Sequence, residues 1–178
     1  GTFSGPFDGD GKTLTVDYSA TTEKCAPFGT LNGATIQKLK VAGSISSNQK
    51  LVAGIAALCS STGNNVTNCL VSATINSSYN DNAADGGLVA VVDNGASLNV
   101  TGCAFAGKLL TTNGTTSCGG IVGWNRPTGT TCTLTNCLYA PASATGSETW
   151  IASAEGENGN ANFCRWNSNR RSEERFSR

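Results

Sequence analysis

Apolar and polar positions along this chain alternate in short runs, and the runs recur. Residues 120–140 read Gly120-Ile121-Val122-Gly123-Trp124, a loop, then Thr133-Leu134-Thr135-Asn136-Cys137-Leu138-Tyr139-Ala140. That is a glycine-led apolar strand, a turn and a second strand carrying Asn-Cys. The design occurs upstream at Gly87-Leu88-Val89-Ala90, followed by Val100-Thr101-Gly102-Cys103-Ala104-Phe105. It occurs again at Gly54-Ile55-Ala56-Ala57, followed by Val66-Thr67-Asn68-Cys69-Leu70-Val71. A more divergent copy begins at Ala26-Pro27-Phe28-Gly29 and runs through Ala34 to Val41. The tetrads start at 26, 54, 87 and 120, in steps of 28, 33 and 33. The second strands, marked by Leu39, Cys69, Cys103 and Cys137, step by 30, 34 and 34. Two landmarks that drift together mark a true repeat, and a repeat of this period is the signature of a solenoid.

Each copy closes on a third short segment: Gly43-Ser44-Ile45, Ala73-Thr74-Ile75 and Gly107-Lys108-Leu109. Three short strands per coil predict an all-β, right-handed parallel β-helix (β-solenoid) of about four to five coils. A helical reading fails, because no 3.6-residue period is sustained and Gly, Thr, Ser and Asn are too dense. The leading glycine of each tetrad is expected to turn a sharp corner without a Cβ clash. Asn68 and Asn136 are expected at corners, where stacked amides bond from coil to coil. Polar loops at 46–50, 76–85 and 111–117 are where coil length varies and where binding surface tends to lie.

The single solenoid domain is expected to span 1–164. Residues 1–24 form an opening, partial coil, in which Asp8-Gly9-Asp10-Gly11 is turn chemistry and Thr13–Tyr18 alternates as a half-buried strand does. A faint fifth coil is placed at Thr149-Trp150-Ile151-Ala152, with Cys164 as its second-strand cysteine. Residues 165–178 hold five of the six arginines and read as a polar cap, a frayed tail or the start of another coil.

Composition adds limits. The chain has 12 basic and 12 acidic residues, 22 glycines, and neither His nor Met. Balanced charge argues against a nucleic-acid partner, and no apolar run is long enough for a transmembrane segment. No signal peptide is visible. Eight cysteines permit a disulfide framework in an exported protein. Cys69, Cys103 and Cys137 share one repeat position and should stack as a buried column. Cys25, Cys59, Cys118 and Cys132 lie outside it and are the disulfide candidates. With no His and no C-x-x-C pair, no zinc site is expected.

The glycine-led tetrads, each followed by an Asn-Cys or Gly-Cys strand, resemble the GLUG-motif repeats of bacterial cell-surface, adhesin-like proteins. The opening Phe3-Ser4-Gly5-Pro6-Phe7-Asp8-Gly9-Asp10-Gly11-Lys12-Thr13-Leu14 resembles the lead-in that often precedes them, with Lys12 in place of the usual His. Ala57 and Ala90 stand where a second glycine is usual, and Gly102 where Asn is usual. These departures bear on the regularity of the second and third corners and not on the fold. The resemblance covers about residues 3–140, with a thinner echo to 164. It implies a parallel β-helix carried by exported adhesin-like proteins and by accessory regions of IgA-specific metallopeptidases. It implies no catalytic residue and no cofactor.

Without His, the common nucleophile–base pairings are missing. A carbohydrate-active β-helix enzyme, a polysaccharide lyase or glycosidase, would have to draw on Asp81, Asp85, Asp93, Lys108 and Arg126. The run Asn80–Gly86 lacks the full calcium-loop pattern and reads as a solvated loop. Trp124, Trp150 and Trp166 are candidates for a sugar-stacking platform, as in a carbohydrate-binding module. The sequons at Asn65, Asn76, Asn99 and Asn113 arise easily in a chain this rich in Asn and Thr. The expectation is therefore a non-catalytic, exported, extracellular segment, monomeric as part of a larger chain, presenting loops to a host surface or a polysaccharide ligand.

Overall fold

The computed structural model describes residues 1–79, 84–111 and 119–145, and beyond them the short strands Glu155–Glu157, Asn160–Ala161 and Cys164–Arg165. Every strand pairing is parallel, and the strands fall into three sheets that form the faces of a β-solenoid. The first face stacks Thr2–Phe3, Phe28–Leu31, Ala56–Cys59, Val89–Val92, Val122–Asn125 and Glu155–Glu157. The second stacks Pro6–Asp8, Thr35–Gln37, Asn64–Thr67, Ser97–Thr101, Thr131–Thr135 and Asn160–Ala161. The third begins with two eight-residue strands, Thr13–Ala20 and Lys40–Ser47. Later coils break that face in two, as at Leu70–Val71 and Thr74–Ser77. No helix occurs among the described residues.

Like residues sit over like. Phe28, Ala56, Val89 and Val122 are register partners, so the tetrads align as the sequence predicts. Ile55 N donates to Leu88 O at 2.9 Å and Leu88 N to Ile121 O at 2.9 Å, which places those three residues in one file. Residues 1–24 supply three strands of the opening coil, pairing with Phe28–Leu31, Thr35–Gln37 and Lys40–Ser47. Ala57 and Ala90 do not disturb the stack. Both are fully buried, and the register runs through them unbroken.

Glu155 pairs with Val122 and Glu157 with Trp124, which repeats the 33-residue step; the tetrad expected at 149–152 lies outside the described residues. Gly156 thereby faces Gly123, a position where a Cβ would lie 2.5 Å from Ala90 O. Cys164 pairs with Leu138, one place beyond the cysteine file. Residues 146–154 and 166–178, with Trp150, Trp166 and the arginine-rich tail, lie outside the described residues.

The tetrad glycines have a different job from the one expected. Gly54, Gly87 and Gly120 do not adopt positive φ. They make room across the core for the third face. A Cβ would lie 2.5 Å from Val71 Cγ1 at Gly54, 2.8 Å from the Phe105 ring at Gly87, and 2.5 Å from Tyr139 Cε2 at Gly120. Val71, Phe105 and Tyr139 form one file, and the last two rings stack at 6.0 Å. Close packing of this kind leaves no slack for an added methyl.

Positive φ is found instead at the corners. Between the first and second faces it falls on Gly33, Gly63, Gly95 and Gly129. Between the second and third it falls on Lys38, Asn68, Gly102 and Asn136, which share one repeat position. Asn and Gly interchange there because both tolerate the left-handed conformation. The expected corner amide ladder is not formed at Asn68. The coil-to-coil amide bond runs on the second face, where Asn99 Nδ2 donates to Asn65 Oδ1 at 3.3 Å.

Cys69, Cys103 and Cys137 are buried in a single file, and each thiol donates to a carbonyl of the preceding coil, Ile36, Val66 and Val100 respectively. Of the disulfide candidates, Cys25 and Cys59 are buried thiols. Cys59 shares an inward file with Leu31 and Val92 and serves as a small core side chain; burial pushes its pKa up to about 12. Cys132 faces inward beside Leu98. Cys118 is outside the described residues.

Candidate functional site

The third corner, where the chain returns from the third face to the first, is built differently. Among the described residues its left-handed positions are Lys24, Leu51 and Ala84, none of them Gly or Asn. Such residues pay about 1–2 kcal/mol each for that conformation. The stack holds them there because the flanking residues bond from coil to coil: Cys25 N donates to Leu51 O at 3.0 Å, and Gly86 N to Val52 O at 3.0 Å. Leu51 and Ala84 join Ala53, Ala57, Ala90 and Val91 in a second apolar cluster, separate from the main core, against which Leu58 and Trp124 pack.

Above this cluster lies a cleft of about 240 Å³. Its floor is Leu51, Leu58, Ala84 and Trp124, with Tyr79 at one side, and its rim is Glu23, Lys24, Lys50, Asp93 and Arg126. Trp124 is delivered by register, since it stacks on Val91, which stacks on Leu58. Arg126 Nη1 lies 2.8 Å from Asp93 Oδ1, and its guanidinium sits 4.9 Å over the Trp124 ring. Lys50 Nζ lies 3.4 Å from Glu23 Oε1. Both pairs are part-exposed and contribute little to stability. Lys24 has no acidic partner among the described residues. Trp124 Nε1 and Arg126 Nε are closed off from solvent and have no acceptor among those residues.

Beneath the corner sits Asp85, fully buried. Its Oδ1 accepts the Val52 N–H at 2.9 Å. Burial pushes its pKa up to about 7, against the lowering effect of hydrogen bonds from Val52 and Ser77. It holds one coil to the next.

The residues an enzyme would draw on are therefore scattered. Asp93 and Arg126 come together as an ion pair. Asp85 is inside the fold, and Lys108 lies on the third face in register with Thr74. Asp81 is outside the described residues. Asp8 is a turn residue: its carboxylate accepts the Asp10 N–H at 2.8 Å and the Lys38 ammonium at 3.2 Å, which lower its pKa. Of the three tryptophans, Trp124 is placed in the cleft. Sequence reasoning missed Leu51, Tyr79, Ala84 and the Glu23–Lys50 pair. Their one signal is that Lys24, Leu51 and Ala84 fall at equivalent turn positions without a Gly or Asn among them.

No family model matches this chain, and no curated protein matches it. Among solved structures, the fold is similar to the crystal structure of a "putative immunoglobulin A1 protease" from Bacteroides ovatus. The TM-score is 0.60 at 16% identity, over 91% of this chain and 60% of that one. The likeness is one of fold, and this chain spans 60% of its neighbour's length.

Proposed function

We propose that this chain is a non-catalytic β-solenoid segment of an exported bacterial surface protein of the GLUG-repeat kind. It is an adhesin-like stalk or module that binds a host-surface or polysaccharide ligand in the third-corner cleft. The observation that carries this reading is the placement of the cleft over the corner whose described left-handed positions, Lys24, Leu51 and Ala84, are all neither Gly nor Asn. Strain of this sort persists where the surrounding structure over-determines it, and it gathers at ligand-binding sites. Each of the cleft's two carboxylates is tied to a cation, which suits a rim that orients a ligand better than an acid–base pair. Trp124 and Tyr79 give a sugar ring an aromatic neighbour.

Affinity electrophoresis of the whole chain through gels cast with a panel of soluble polysaccharides tests the reading. The expected result is retardation in at least one gel with no new reducing or unsaturated sugar ends in solution. Release of such ends supports a carbohydrate-active enzyme instead. Unretarded migration in every gel contradicts a polysaccharide-binding role.

A further inference from the structure

Resting on the cleft as a binding site, we infer that its ligand is a sugar residue bearing a carboxylate, a uronate or a sialate, held with its apolar side on the floor and its charge toward Lys24. The cleft is lined by three cations, Lys24, Lys50 and Arg126, and two anions, Glu23 and Asp93. Two of the cations are neutralised within the fold, Lys50 by Glu23 and Arg126 by Asp93. Lys24 is the one whose charge has no acidic counterpart among the described residues, so the described lining is complementary to a single negative charge. Its left-handed backbone, at φ 65°, belongs to the strained corner itself.

The other requirements come from shape and hydrogen bonding. A volume of about 240 Å³ lies below the usual range for drug-sized ligands, about 300–1,000 Å³, and suits a single ring. The floor of Leu51, Leu58, Ala84 and Trp124 presents carbon, which matches the C–H face of a sugar ring. Trp124 Nε1 and Arg126 Nε are donors that find no acceptor among the described residues. An oxygen-rich ligand that moves the Arg126 head off the indole gains both hydrogen bonds. A neutral sugar satisfies the floor and the donors and leaves Lys24 unanswered. A small aliphatic acid answers Lys24 and leaves the floor uncovered.

The test uses matched probes that differ only in charge. Trigalacturonate is compared with its fully methyl-esterified form, and 3′-sialyllactose with lactose, by calorimetric titration of the full chain and of Lys24→Gln. The expected result is at least tenfold tighter binding of the acidic member of one pair; which pair responds tells uronate from sialate. That preference should shrink from 50 to 500 mM salt as the charges are screened, and Lys24→Gln should abolish it. Lys24 is exposed, so circular dichroism should show an unchanged fold. Equal binding of acidic and neutral probes, or a preference that survives Lys24→Gln, overturns the charge assignment while leaving the cleft as a neutral-sugar site. Should no probe bind, yet some neutral polysaccharide retard the chain in a gel, the acidic-sugar inference alone fails. If nothing binds in either assay, both fail.

Discussion

The three corners of this solenoid solve the same geometric problem with different residues. At two of them the described coils place residues in the left-handed region, and the chain supplies mostly Gly or Asn, with Asp10 and Lys38 as the exceptions. At the third it supplies Lys24, Leu51 and Ala84, which are ill suited to that conformation. The first two corners keep to turning, the first bonded by the Asn64 side chain and the second by the Asp8–Lys38 pair. The third carries a second apolar cluster, the Glu23–Lys50 ion pair and a buried carboxyl, and the cleft reaches from there across the first face to the Asp93–Arg126 pair at the first corner. Where a corner only has to turn, residue choice follows local propensity. Where propensity is overridden, something other than turning has set the choice, and the cleft is what those residues line.

The sharpest way to break this comparison is at a position that belongs to stacking alone. Gly87→Ala places a methyl 2.0 Å from Gly120 O and 2.8 Å from the Phe105 ring. Neither can retreat without shifting a coil, so the expected loss is about 3 kcal/mol or more, beyond the usual cost of overpacking. A denaturant melt measures it. A loss under about 1 kcal/mol would mean that the coils do not approach as closely as described.

A second prediction concerns Asp85. Its pKa is raised to about 7 in the folded chain, above the value near 3.8 of an unfolded carboxyl. The folded state therefore binds the proton more tightly. This group's contribution to stability is fully present below about pH 4, declines as pH rises, and is lost above about pH 7. Asp85→Asn keeps an oxygen for the Val52 N–H and removes the charge. It should match the wild type near pH 4 and exceed it at pH 8 by roughly 2–4 kcal/mol, one pKa unit being about 1.4 kcal/mol. Melts across that pH range decide the matter, and a variant less stable than wild type at pH 8 would contradict it.

The smallest effect is the most specific to the corner comparison. Ala84→Gly relieves a left-handed alanine, worth about 1–2 kcal/mol, but adds entropy to the unfolded chain and removes a methyl buried in the second cluster, so the net change should stay within about 1 kcal/mol of zero. The same change at a residue with ordinary φ costs stability. A loss of about 1.5 kcal/mol or more, the methyl and entropy costs with nothing to offset them, would show that the third corner is not strained.

Much of the architecture was legible in the chain, and for a definite reason. A solenoid repeats each residue's surroundings once per coil, so files along the axis appear as periodic positions. That is why the tetrads and the Cys69–Cys103–Cys137 file could be aligned in advance. Contacts across the core leave no such trace. Gly87 reads as a turn residue until Phe105 is seen opposite it. Asn64 reads as surface, yet it is fully buried in a file with Ala34 and Leu98. Its side chain accepts from Gly33 N and Ala34 N and donates to the carbonyls of Ser61 and Ser97, tying three coils together. The cleft was half legible: Trp124, Asp93 and Arg126 could be picked out as chemistry. Leu51, Ala84 and Tyr79 could not, because their role depends on a corner bringing distant loops to one place. Beyond the fourth tetrad the 33-residue step continues in the pairing of Glu155 with Val122.

In-register stacking that seats each face against the glycines opposite underlies all of this, and a double-mutant cycle at Gly120 and Tyr139 tests it most directly. A Cβ on Gly120 has Tyr139 ring atoms as its three nearest neighbours, at 2.5–2.7 Å. Gly120→Ala and Tyr139→Val should each destabilise the fold, by about 1–3 and 3–5 kcal/mol respectively. Combined, they should cost less than the sum of the two by 1 kcal/mol or more, because the smaller side chain admits the new methyl. Strict additivity would mean that residue 120 and residue 139 do not meet across the core, and the stacking described here would be wrong.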